Sequence, residues 1–455
     1  MFEHKWLSGK TPVAISIAGS DSGGGAGIQA DLKTFAALGV HGTTAITCVT
    51  AQNTYSVTAI ECVKPDVVKE QIRQVAEDMG IDSGKTGMLY TEEIIKAVAS
   101  EVSKYGFPLV VDPVMIAKSG APLLKAEAAE ALRKYLFPLA AVVTPNKFEA
   151  ERLTGRRIES LEDAKKAAEE ICGMGPQAAV IKGGHLDVAN AVDVLYYRGG
   201  YRIFEAERLN VNTTHGTGCS FSAAIAAFIA RGYDLPSAVE KAKEFITYSI
   251  KFGLNIGRGA GPVNPMAQLY KEASKYQVLK NVDQARRILE SSPNVVFVIP
   301  EVGINIAMAL PYAESLEDIA AIPGRIVRAF SGVRSSYPDF GASSHLARYI
   351  LEVMKHDPTK RAAINIKFSE KILDALGGKG LKISSYDRSE EPEEIKRIEG
   401  MSIPWGVKAA IEKAGCVPDV IYHKGDIGKE PMVVLIGEDA IILAKTVVEI
   451  ARSIH

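Results

Sequence analysis

The sequence has little of what builds disulfide-linked, zinc-stabilised or membrane-spanning proteins. Its 455 residues include only five cysteines and eight histidines, and neither type shows C-x-x-C, H-x-x-x-H or H-E-x-x-H spacing. An odd number of scattered cysteines argues against a disulfide framework and against a structural zinc site. No apolar run approaches the ~20 residues of a membrane span, and residues 1–8 are too mixed for a secretory signal. These absences favour a cytoplasmic protein with no membrane partner.

An excess of charge of one sign is also missing. Lysine and arginine total 53 and aspartate and glutamate 54, so the formal net charge is −1. This balance argues against the basic surface that binds nucleic acid or anionic lipid. A hydrophobic content of 47% with 24% charged residues is ordinary for a globular protein, and the length allows two or three domains. We therefore expect small-molecule partners and no nucleic acid.

The most distinctive stretch is the glycine-rich turn Thr214–Ser220, which leads into an alanine-rich helix pattern ending near Arg231. Glycines let backbone N–H groups turn inward, and the start of a helix adds a partial positive charge, so the turn predicts an anion-binding cradle. Such a cradle would also stabilise the thiolate of Cys219. The alternative is a tight turn before a core helix, with Cys219 a small buried residue. The turn by itself leaves both interpretations open.

Short apolar runs alternate with helix patterns through the first two thirds of the chain. The runs are 13–18, 43–50, 82–88, 109–115, 140–146 and 178–185, and the helix patterns are 28–38, 66–79, 91–105, 125–135, 147–154 and 161–172. This alternation predicts an α/β domain with a doubly wound, mostly parallel sheet and helices on both faces. A later segment, 195–204, predicts a hairpin with a Gly-Gly turn.

A second glycine-rich segment, Gly19–Gly27, follows the first strand pattern. It is not a P-loop, because no Lys-Ser/Thr pair follows Gly24, and it lacks the G-x-G-x-x-G dinucleotide motif. We expect its glycines to admit a small ligand close to the backbone. Ligands of such sheets bind beyond the carboxyl ends of the strands. The polar residues expected there are Asp21, Asp31, Gln52, Asp112, Asn146 and Lys182; each by itself is typical of a cap or turn, but as a set they predict a shared site.

A composition break at 253–265, with four glycines and two prolines, either ends a domain or lines a nucleotide site. A helical stretch follows, and a second, smaller α/β domain is then expected. It has a strand pattern at 295–300 and others at 362–367 and 432–437. One helix pattern ends at Met354, and three others cover 392–399, 403–414 and 438–452. Ser343 or Ser344 fits a helix N-cap, which leaves His345 in the first turn.

Residues 12–265 resemble the hydroxymethylpyrimidine and hydroxymethylpyrimidine-phosphate kinases of thiamine synthesis, which have the ribokinase-like fold. The resemblance rests on six ordered motifs: Ile17–Lys33, Ala51–Thr54, Thr86–Leu89, Asp112–Met115, Lys182–His185 and Thr214–Cys219. Sugar kinases of this fold carry aspartate where this chain has Cys219, which favours the pyrimidine kinases. A pyridoxal kinase is a further alternative, because those kinases share the Gly-Thr-Gly-Cys turn.

The resemblance implies a role for particular residues and for ATP and Mg²⁺. The pyrimidine would be bound by Gln52 and Asp31, in a pocket lined by Gly19, Met88 and Val114. ATP and its phosphates would be bound by Asn146, Glu149, Lys182, Gly216, Thr217 and Gly218. Asp112 and Glu149 would hold Mg²⁺, and Cys219 would be the catalytic base. Relatives of this kind are commonly dimers, so a homodimer or higher homo-oligomer is expected.

Residues 290–455 resemble the thiamine-phosphate synthase domain that is fused behind this kinase. The motifs that carry the resemblance are Pro300–Asn305, Pro323–Arg325, Phe340–His345 and Asp419–Asp426. It implies that Arg325 and His345 take part in coupling the pyrimidine diphosphate to a thiazole phosphate. The implied domains are a kinase at 1–265, a helical connector at 266–289 and a synthase at 290–455. In the alternative, the last third senses a ligand without catalysis.

Overall fold

The computed structural model describes residues 9–115, 123, 126–184, 190–330, 332–426 and 428–454. His185, the last residue of one motif above, lies outside the described residues. The chain divides into two compact units, Met1–Gln268 and Leu269–His455. None of the described helices is both long enough and apolar enough to cross a membrane.

Strands and helices alternate in the first unit. The strands are β1 (Val13–Asp21), β2 (His41–Gln52), β3 (Val57–Cys62), β4 (Ser83–Thr86), β5 (Leu109–Val111), β6 (Ala140–Val143), β7 (Ala178–Ile181), β8 (Ala191–Tyr197) and β9 (Gly200–Ala206). The helices are α1 (Gly27–Ala37), α2 (Pro65–Asp78), α3 (Glu92–Tyr105), α4 (Ala126–Ala131), α5 (Lys147–Thr154), α6 (Leu161–Cys172), α7 (Thr217–Ala230) and α8 (Leu235–Lys251). A π-helical turn, Leu132–Leu136, continues α4.

Within the described residues these strands form one nine-stranded sheet of order β3-β2-β1-β4-β5-β6-β7-β8-β9. The pairs from β2 through β7 are parallel, whereas β3, β8 and β9 pair antiparallel. The prediction of a doubly wound, mostly parallel sheet is confirmed. Because β2, β1, β4, β5, β6 and β7 run in one direction, the loops after them lie at the same edge.

Both faces of the nine-stranded sheet are covered by helices, because successive apolar side chains of its strands point to opposite faces. Ile15 and Ile17 are fully buried in a core with residues of α2, α3 and α6. Ala14 and Val110 point to the opposite face, where they join a second core with α1, α7 and α8. Successive side chains of a strand point to opposite faces, so apolar residues at consecutive positions require helices on both sides.

Two local features of this unit differ from expectation. Strand β3 has no counterpart among the predicted elements. Three of its six residues are exposed and none is fully buried, so its apolar signal in the sequence is weak. The predicted hairpin is present as β8 and β9, but its turn residues are Arg198 and Gly199, with φ of 51° and 79°. Gly200 already pairs with Tyr197 in the ladder. Two consecutive positive φ values are typical of the turn that matches the strand twist.

The remaining elements begin with the helices α9 (Ala267–Ala273) and α10 (Lys275–Glu290). The strands of the second unit are β10 (Ile306–Ala309), β11 (Ile319–Ala321), β12 (Val327–Ala329), β13 (Gly332–Arg334), β14 (Asp339–Phe340), β15 (Ala362–Lys367), β16 (Ile383–Ser385), β17 (Val420–His423) and β18 (Met432–Gly437). Its other helices are α11 (Ser344–Met354), α12 (Glu370–Gly378), α13 (Glu393–Lys396), α14 (Ser402–Ala414) and α15 (Ala440–Ser453).

In the described part of this unit, seven strands form a sheet of order β14-β11-β10-β15-β18-β17-β16. Only β16 and β17 in it pair in parallel. Helices α10 and α15 pack on one face, and α11 and α14 on the other. A second, smaller α/β domain is therefore confirmed.

The predicted strand at 295–300 is wrong, because Pro293–Phe297 forms a 3-10 helix. Val295 and Val298 are both buried, and a spacing of three places them on one face of such a helix. The stretch 266–289, expected as a helical connector, contributes side chains to the core of the second unit. Val278, Val282, Ala285 and Leu289 of α10 are buried in the core of the second unit.

Candidate active sites

The turn before α7 has a backbone that only glycine suits. Gly216 has φ of 78°, and a Cβ at this position would collide with the carbonyl oxygen of Gly25. Gly216 is the N-cap of α7, and no side chain caps the helix. The first N–H groups of a helix have no partner within it, so this uncapped end presents donors and a partial positive charge.

The glycine-rich loop after β1 is organised by the carboxylate of Asp21. This carboxylate accepts hydrogen bonds from the N–H groups of Gly23, Gly25 and Ala26, at 2.8, 3.0 and 2.8 Å. Its Oδ2 also lies 3.3 Å from Nε2 of His215. Burial opposes ionisation, but the bonds from His215 and the backbone outweigh it and lower the pKa of Asp21. Asp21 therefore ties the loop to the turn before α7.

Two glycines of this loop make room for other parts of the protein itself. A Cβ on Gly25 would meet the ring of His215, and one on Gly27, whose φ is 55°, would collide with the carbonyl oxygen of Gly19. The expectation that these glycines admit a ligand is corrected at both positions. The close approach is between the loop, β1 and the turn before α7.

A lysine–aspartate pair faces the start of α7. Nζ of Lys182, after β7, lies 2.9 Å from Oδ1 of Asp112, after β5. A Cβ on Gly218 would lie 3.3 Å from Nζ of Lys182 and 3.6 Å from Oδ2 of Asp112, so glycine leaves room here. Burial disfavours the charge of Lys182, but Asp112 and Glu149 outweigh it and raise the pKa of Lys182.

Asn146 and Glu149 form a capping box at the start of α5. The Asn146 side chain accepts the N–H of Glu149 at 2.9 Å, and the Glu149 carboxylate accepts the N–H of Asn146 at 2.8 Å. Burial, opposed by Lys182 and reinforced by Asp112, raises the pKa of Glu149 to about 7. The backbones of Asn146 and Lys182 also pair in an isolated parallel β-bridge. The structure thus brings together Asp112, Asn146, Glu149, Lys182 and Gly218.

Cys219 lies in the first turn of α7. The N–H of Gly27 donates to its sulfur, and the Lys85 ammonium is close enough to favour the thiolate, but burial outweighs both and raises the pKa of Cys219 to about 11. The expectation of a stabilised thiolate is therefore wrong. The nearby carboxylates Asp31 and Asp112 add to the effect of burial.

Asp31 is a fully buried carboxylate that pairs with a buried lysine. Its side chain is fully buried on α1, and its Oδ2 accepts from Oγ of Ser16 at 2.6 Å and from Nζ of Lys85 at 2.9 Å. Its other oxygen, Oδ1, is buried and has no hydrogen-bond partner among the described residues, so binding of the ligand ring by Asp31 stays a prediction. The charge of Asp31 pairs with Lys85, and the pKa of Lys85 is raised because Asp31 outweighs the effect of burial.

The other residues expected to line the ring pocket follow neighbouring strands. A Cβ on Gly19 would lie 3.3 Å from the Met88 sulfur, so Gly19 and Met88 are in contact. Oε1 of Gln52 accepts from Oγ1 of Thr50 at 3.2 Å, at the end of β2. Val114 is partly exposed just after β5. These residues therefore lie along the same sheet edge as Asp112.

The second unit has a separate cavity of about 390 Å³, lined in part by Arg325 and His345. Arg325 is exposed, has φ of 68° and donates from Nη1 to the carbonyl oxygen of Val302. Ser343 caps α11 by accepting the N–H of Leu346, so the predicted N-cap is confirmed. His345 lies in the first turn of this helix.

The chemistry of His345 is that of a neutral imidazole. Its Nε2 is buried and has no hydrogen-bond partner among the described residues. Burial, with the charges of Arg325, Arg388 and Arg348, lowers the pKa of His345 to about 4. At neutral pH the ring therefore carries no charge, and a buried polar atom is left for a ligand to satisfy.

Sequence reasoning missed several residues that line this cavity. They are Asn305, Arg348, Asn365, Arg388, His423 and Lys429. His423 was part of the motif Asp419–Asp426, so a signal for it was present. Arg388 had none, because it follows a short strand that the sequence pattern does not reveal.

Comparisons with known proteins bear on both units. A family model described as phosphomethylpyrimidine kinase matches residues 21–264, and one described as thiamine-phosphate synthase ThiN matches residues 281–449. The bifunctional thiamine biosynthesis protein ThiDN of Methanocaldococcus jannaschii is 34% identical over 455 residues, covering 97% of this chain and 99% of that protein.

Two further comparisons concern the first unit. The bifunctional protein ThiED of Geobacter sulfurreducens is 46% identical over 251 residues, which is 55% of this chain and 51% of that protein, so the chain spans about half the length of that relative. The solved ADP complex of Bacillus subtilis pyridoxal kinase is 40% identical, covers 57% of this chain and 99% of its own, and has a TM-score of 0.54. This likeness shows the ribokinase-like fold. Together with the two family models and the full-length match, it places the chain among the bifunctional thiamine biosynthesis proteins, in which a phosphomethylpyrimidine kinase domain precedes a thiamine-phosphate synthase domain.

Proposed function

We propose that the first unit transfers phosphoryl groups from ATP to an aminopyrimidine, first to its hydroxymethyl oxygen and then to the monophosphate so formed. The observation that carries this proposal is the convergence of Lys182, Asp112, Glu149 and Cys219 at the uncapped start of α7. Phosphoryl transfer depends mostly on positioning and on neutralising charge. A partly buried lysine beside the N–H groups at a helix start supplies both.

The aminopyrimidine would lie at the ends of β1, β2, β4 and β5. Gln52 can both donate to and accept from the polar edge of the ring, and Gly19, Met88 and Val114 supply apolar walls. Asp31 would bind the ring through Oδ1, which has no partner among the described residues, while its Oδ2 holds the Lys85 ammonium 2.9 Å away inside the core. That ammonium opposes the effect of burial on Cys219.

ATP would place its phosphates between Lys182 and the turn before α7. Gly216 and Gly218 offer backbone N–H groups, and the phosphates would compete for that of Thr217, which donates to the carbonyl oxygen of Thr214 at 3.4 Å. Asn146 extends the polar surface next to Lys182. Nζ of Lys182 is held by Asp112 at 2.9 Å, so its charge is already oriented toward Gly218. A helix start and a lysine together form a typical phosphate site.

Asp112 and Glu149 fit a Mg²⁺ ion that arrives with ATP. Both carboxylates are buried, and the charge of Asp112 contributes to raising the pKa of Glu149 to about 7. A divalent cation would relieve this repulsion, and carboxylates with phosphate oxygens and water are the ligands that Mg²⁺ prefers. When bound, the ion would neutralise charge on the transferred phosphoryl group.

Cys219 would accept the proton of the substrate hydroxyl group. A thiol with a pKa of about 11 is protonated at rest, but the small thiolate fraction is a strong base. Such a base contributes about 10²–10⁴ in rate. Asp112 and Lys182 are charged neighbours of the sulfur. A change in their contacts when substrate binds would therefore alter the fraction of Cys219 present as thiolate.

In the second unit we propose that the pyrimidine diphosphate is coupled to a thiazole phosphate. The thiazole nitrogen would form a bond to the pyrimidine methylene carbon, while the carbon–oxygen bond to the diphosphate breaks and its electron pair leaves with pyrophosphate. Arg325 would bind an anionic group at the cavity rim, as guanidinium groups do. His345, neutral at working pH, would hydrogen-bond to a substrate through its buried Nε2.

A homodimer or higher homo-oligomer and a cytoplasmic location stay predictions for this chain. Light scattering on the purified protein measures its oligomeric state, and fractionation of cells determines its location. The alternative of a ligand-sensing second unit predicts that pyrimidine diphosphate accumulates without being coupled.

The acceptor specificity of the first unit tests the kinase proposal. The full chain is supplied with ATP and Mg²⁺ and with either hydroxymethylpyrimidine or pyridoxal, and products are identified by mass spectrometry. We expect the pyrimidine to gain two phosphoryl groups and to be used with the higher kcat/KM. A higher kcat/KM for pyridoxal would contradict the proposal and favour the pyridoxal kinase alternative.

A further inference from the structure

Arg388 is an unusual buried cation. It begins the 3-10 helix Arg388–Glu390, is 7% exposed, and its Nε has no hydrogen-bond partner among the residues that the structure describes. Within the part of the chain that the structure describes, no carboxylate lies within ion-pair distance of it. The buried lysines Lys85 and Lys243, by contrast, have carboxylate partners at 2.9 and 3.0 Å. A buried charge without a partner is costly, so its retention points to a ligand that supplies the opposite charge.

The cavity that Arg388 lines is strongly cationic. Arg325, Arg348 and Lys429 line it as well, and the only carboxylate among its described lining residues is that of Glu430. This carboxylate accepts the backbone N–H groups of Glu301 and Val302, so it is engaged elsewhere. The lining therefore favours anions.

A neutral donor adds to these charges. His423 is 3% exposed, and its Nδ1 accepts the N–H of Gly425 at 3.2 Å. Burial, with the charges of Arg388 and Lys429 and the neighbouring imidazole of His345, lowers the pKa of His423 to about 4. The neutral ring must then carry its proton on Nε2. The Nε2–H of His423 and the Nε2 of His345, which has no partner among the described residues, are both available to hydrogen-bond to a ligand in this cavity.

Burial separates the cations of this cavity into two sets. Arg325 and Lys429 are exposed, whereas Arg348 is partly buried and Arg388 is buried. Arg348 is confined by Gly400, where a Cβ would lie 2.7 Å from its Nε. A fixed charge in a poorly hydrated place stabilises developing negative charge better than a solvated one. In the coupling reaction that charge develops on the departing diphosphate.

We propose that Arg388, with Arg348 and the Nε2–H of His423, binds the diphosphate group of the pyrimidine substrate and the pyrophosphate that leaves. This subsite rests on the proposed coupling reaction of the second unit. The exposed Arg325 and Lys429 are then left for the phosphate of the thiazole substrate. Arg388 contacts the leaving group and is a further catalytic residue of the synthase site.

The two tryptophans of the chain allow a direct binding test. Trp6 lies outside the described residues, whereas Trp405, on α14, packs against Tyr386 with ring centroids 6.0 Å apart. Tyr386 in turn lies 5.3 Å from His423. In a full-length Trp6→Phe protein, fluorescence therefore reports on the second unit even if pyrophosphate also binds at the kinase site. Pyrophosphate is titrated with Mg²⁺, and the Kd is taken from the Trp405 signal.

We expect saturable binding that Arg388→Met weakens about 10-fold or more, since hydrogen bonds to charged groups are the strong ones. Arg388→Lys keeps the charge and should bind with intermediate affinity. Lys408→Met, an exposed change on the same helix as Trp405, should bind as the parent does. Equal affinities of the parent and the Arg388→Met protein, or no binding by the parent, would overturn the proposal.

Steady-state coupling from supplied pyrimidine diphosphate and thiazole phosphate separates the subsite from the function. Arg388→Met should raise the KM for the diphosphate and leave that for the thiazole phosphate unchanged; the reverse pattern would overturn the assignment. If the parent protein does not couple but binds pyrophosphate in an Arg388-dependent manner, the proposed reaction fails while the anion subsite stands. Circular dichroism of each variant verifies that it is folded.

Discussion

Nζ of Lys182 lies 2.9 Å from Oδ1 of Asp112, although the two residues are 70 positions apart in the chain. The loops after β5 and β7 place them side by side at the sheet edge, facing Gly218. Lys182→Met should abolish phosphoryl transfer and also destabilise the first unit, because Asp112 is left buried without its partner. A loss of about 3–5 kcal/mol is typical of breaking a buried pair. Urea unfolding measures it.

The double variant Lys182→Met with Asp112→Asn is the matched control. It removes both charges, so most of the stability should return while activity stays lost. If the double variant were as unstable as the single one, the pair would not be the cause of the destabilisation.

Gly216→Ala tests the close approach of the two glycine-rich loops. The alanine backbone would have to keep a left-handed φ, and its Cβ would collide with the carbonyl oxygen of Gly25. Gly80, with φ of 74° and open space around it, separates the two effects. Gly80→Ala should cost about 1 kcal/mol from backbone strain, and Gly216→Ala clearly more, with loss of ATP binding. Similar unfolding midpoints for the two variants would show that the contact with Gly25 is not tight.

The pH dependence of the kinase step tests the role of Cys219. With a pKa of about 11, the thiolate fraction increases tenfold per pH unit between pH 7 and 9. The single-turnover rate should therefore rise with pH, and Cys219→Ser should lower it about 10²–10⁴-fold with ATP affinity retained. Cys219→Asp carries an ionised base at neutral pH and should show a flatter profile. Full activity of the serine variant would remove Cys219 from the mechanism.

Glu149 predicts a stability that depends on pH. Its pKa of about 7 in the folded protein exceeds the ordinary 4.5, so the folded state retains a proton that the unfolded chain has lost. Stability therefore falls as the pH rises from 4.5 to 7. Without Mg²⁺ and ATP, Glu149→Gln should raise the unfolding free energy at pH 8 by about 1–3 kcal/mol and change little at pH 4.5. It should also weaken the Mg²⁺ dependence of the kinase. An equal effect at both pH values would contradict a titrating Glu149.

Most of the first unit could be predicted because its signals are local. Apolar runs followed by glycine or polar residues marked the strands that carry Asp112, Asn146 and Lys182, and parallel strands bring such residues to one edge. The pKa of Cys219 could not be predicted, since it depends on burial among side chains distant in sequence. The contact of Cys48 with Cys62, whose sulfur atoms lie 3.1 Å apart, was hidden for the same reason: it requires the pairing of β2 with the unpredicted β3.

The second unit was harder to predict because its strands are short. Strands β11 and β16 have three residues each, too few for an alternating pattern to emerge. The apolar run at 295–300 fits a strand and a buried 3-10 turn equally well without knowledge of its neighbours. Arg325 and His345, named by resemblance, both line one cavity, and their role in coupling stays a prediction. Arg388 becomes apparent only when its burial is known.

The most direct test of the two-site account supplies the full chain with ATP, Mg²⁺, hydroxymethylpyrimidine and thiazole phosphate. The account predicts thiamine monophosphate and pyrophosphate from the parent protein, and pyrimidine diphosphate without coupling from His345→Ala. A mixture of the Cys219→Ser and His345→Ala proteins should restore thiamine monophosphate, because each retains one working site. If the parent protein accumulates pyrimidine diphosphate and forms no thiamine monophosphate, the central claim is contradicted.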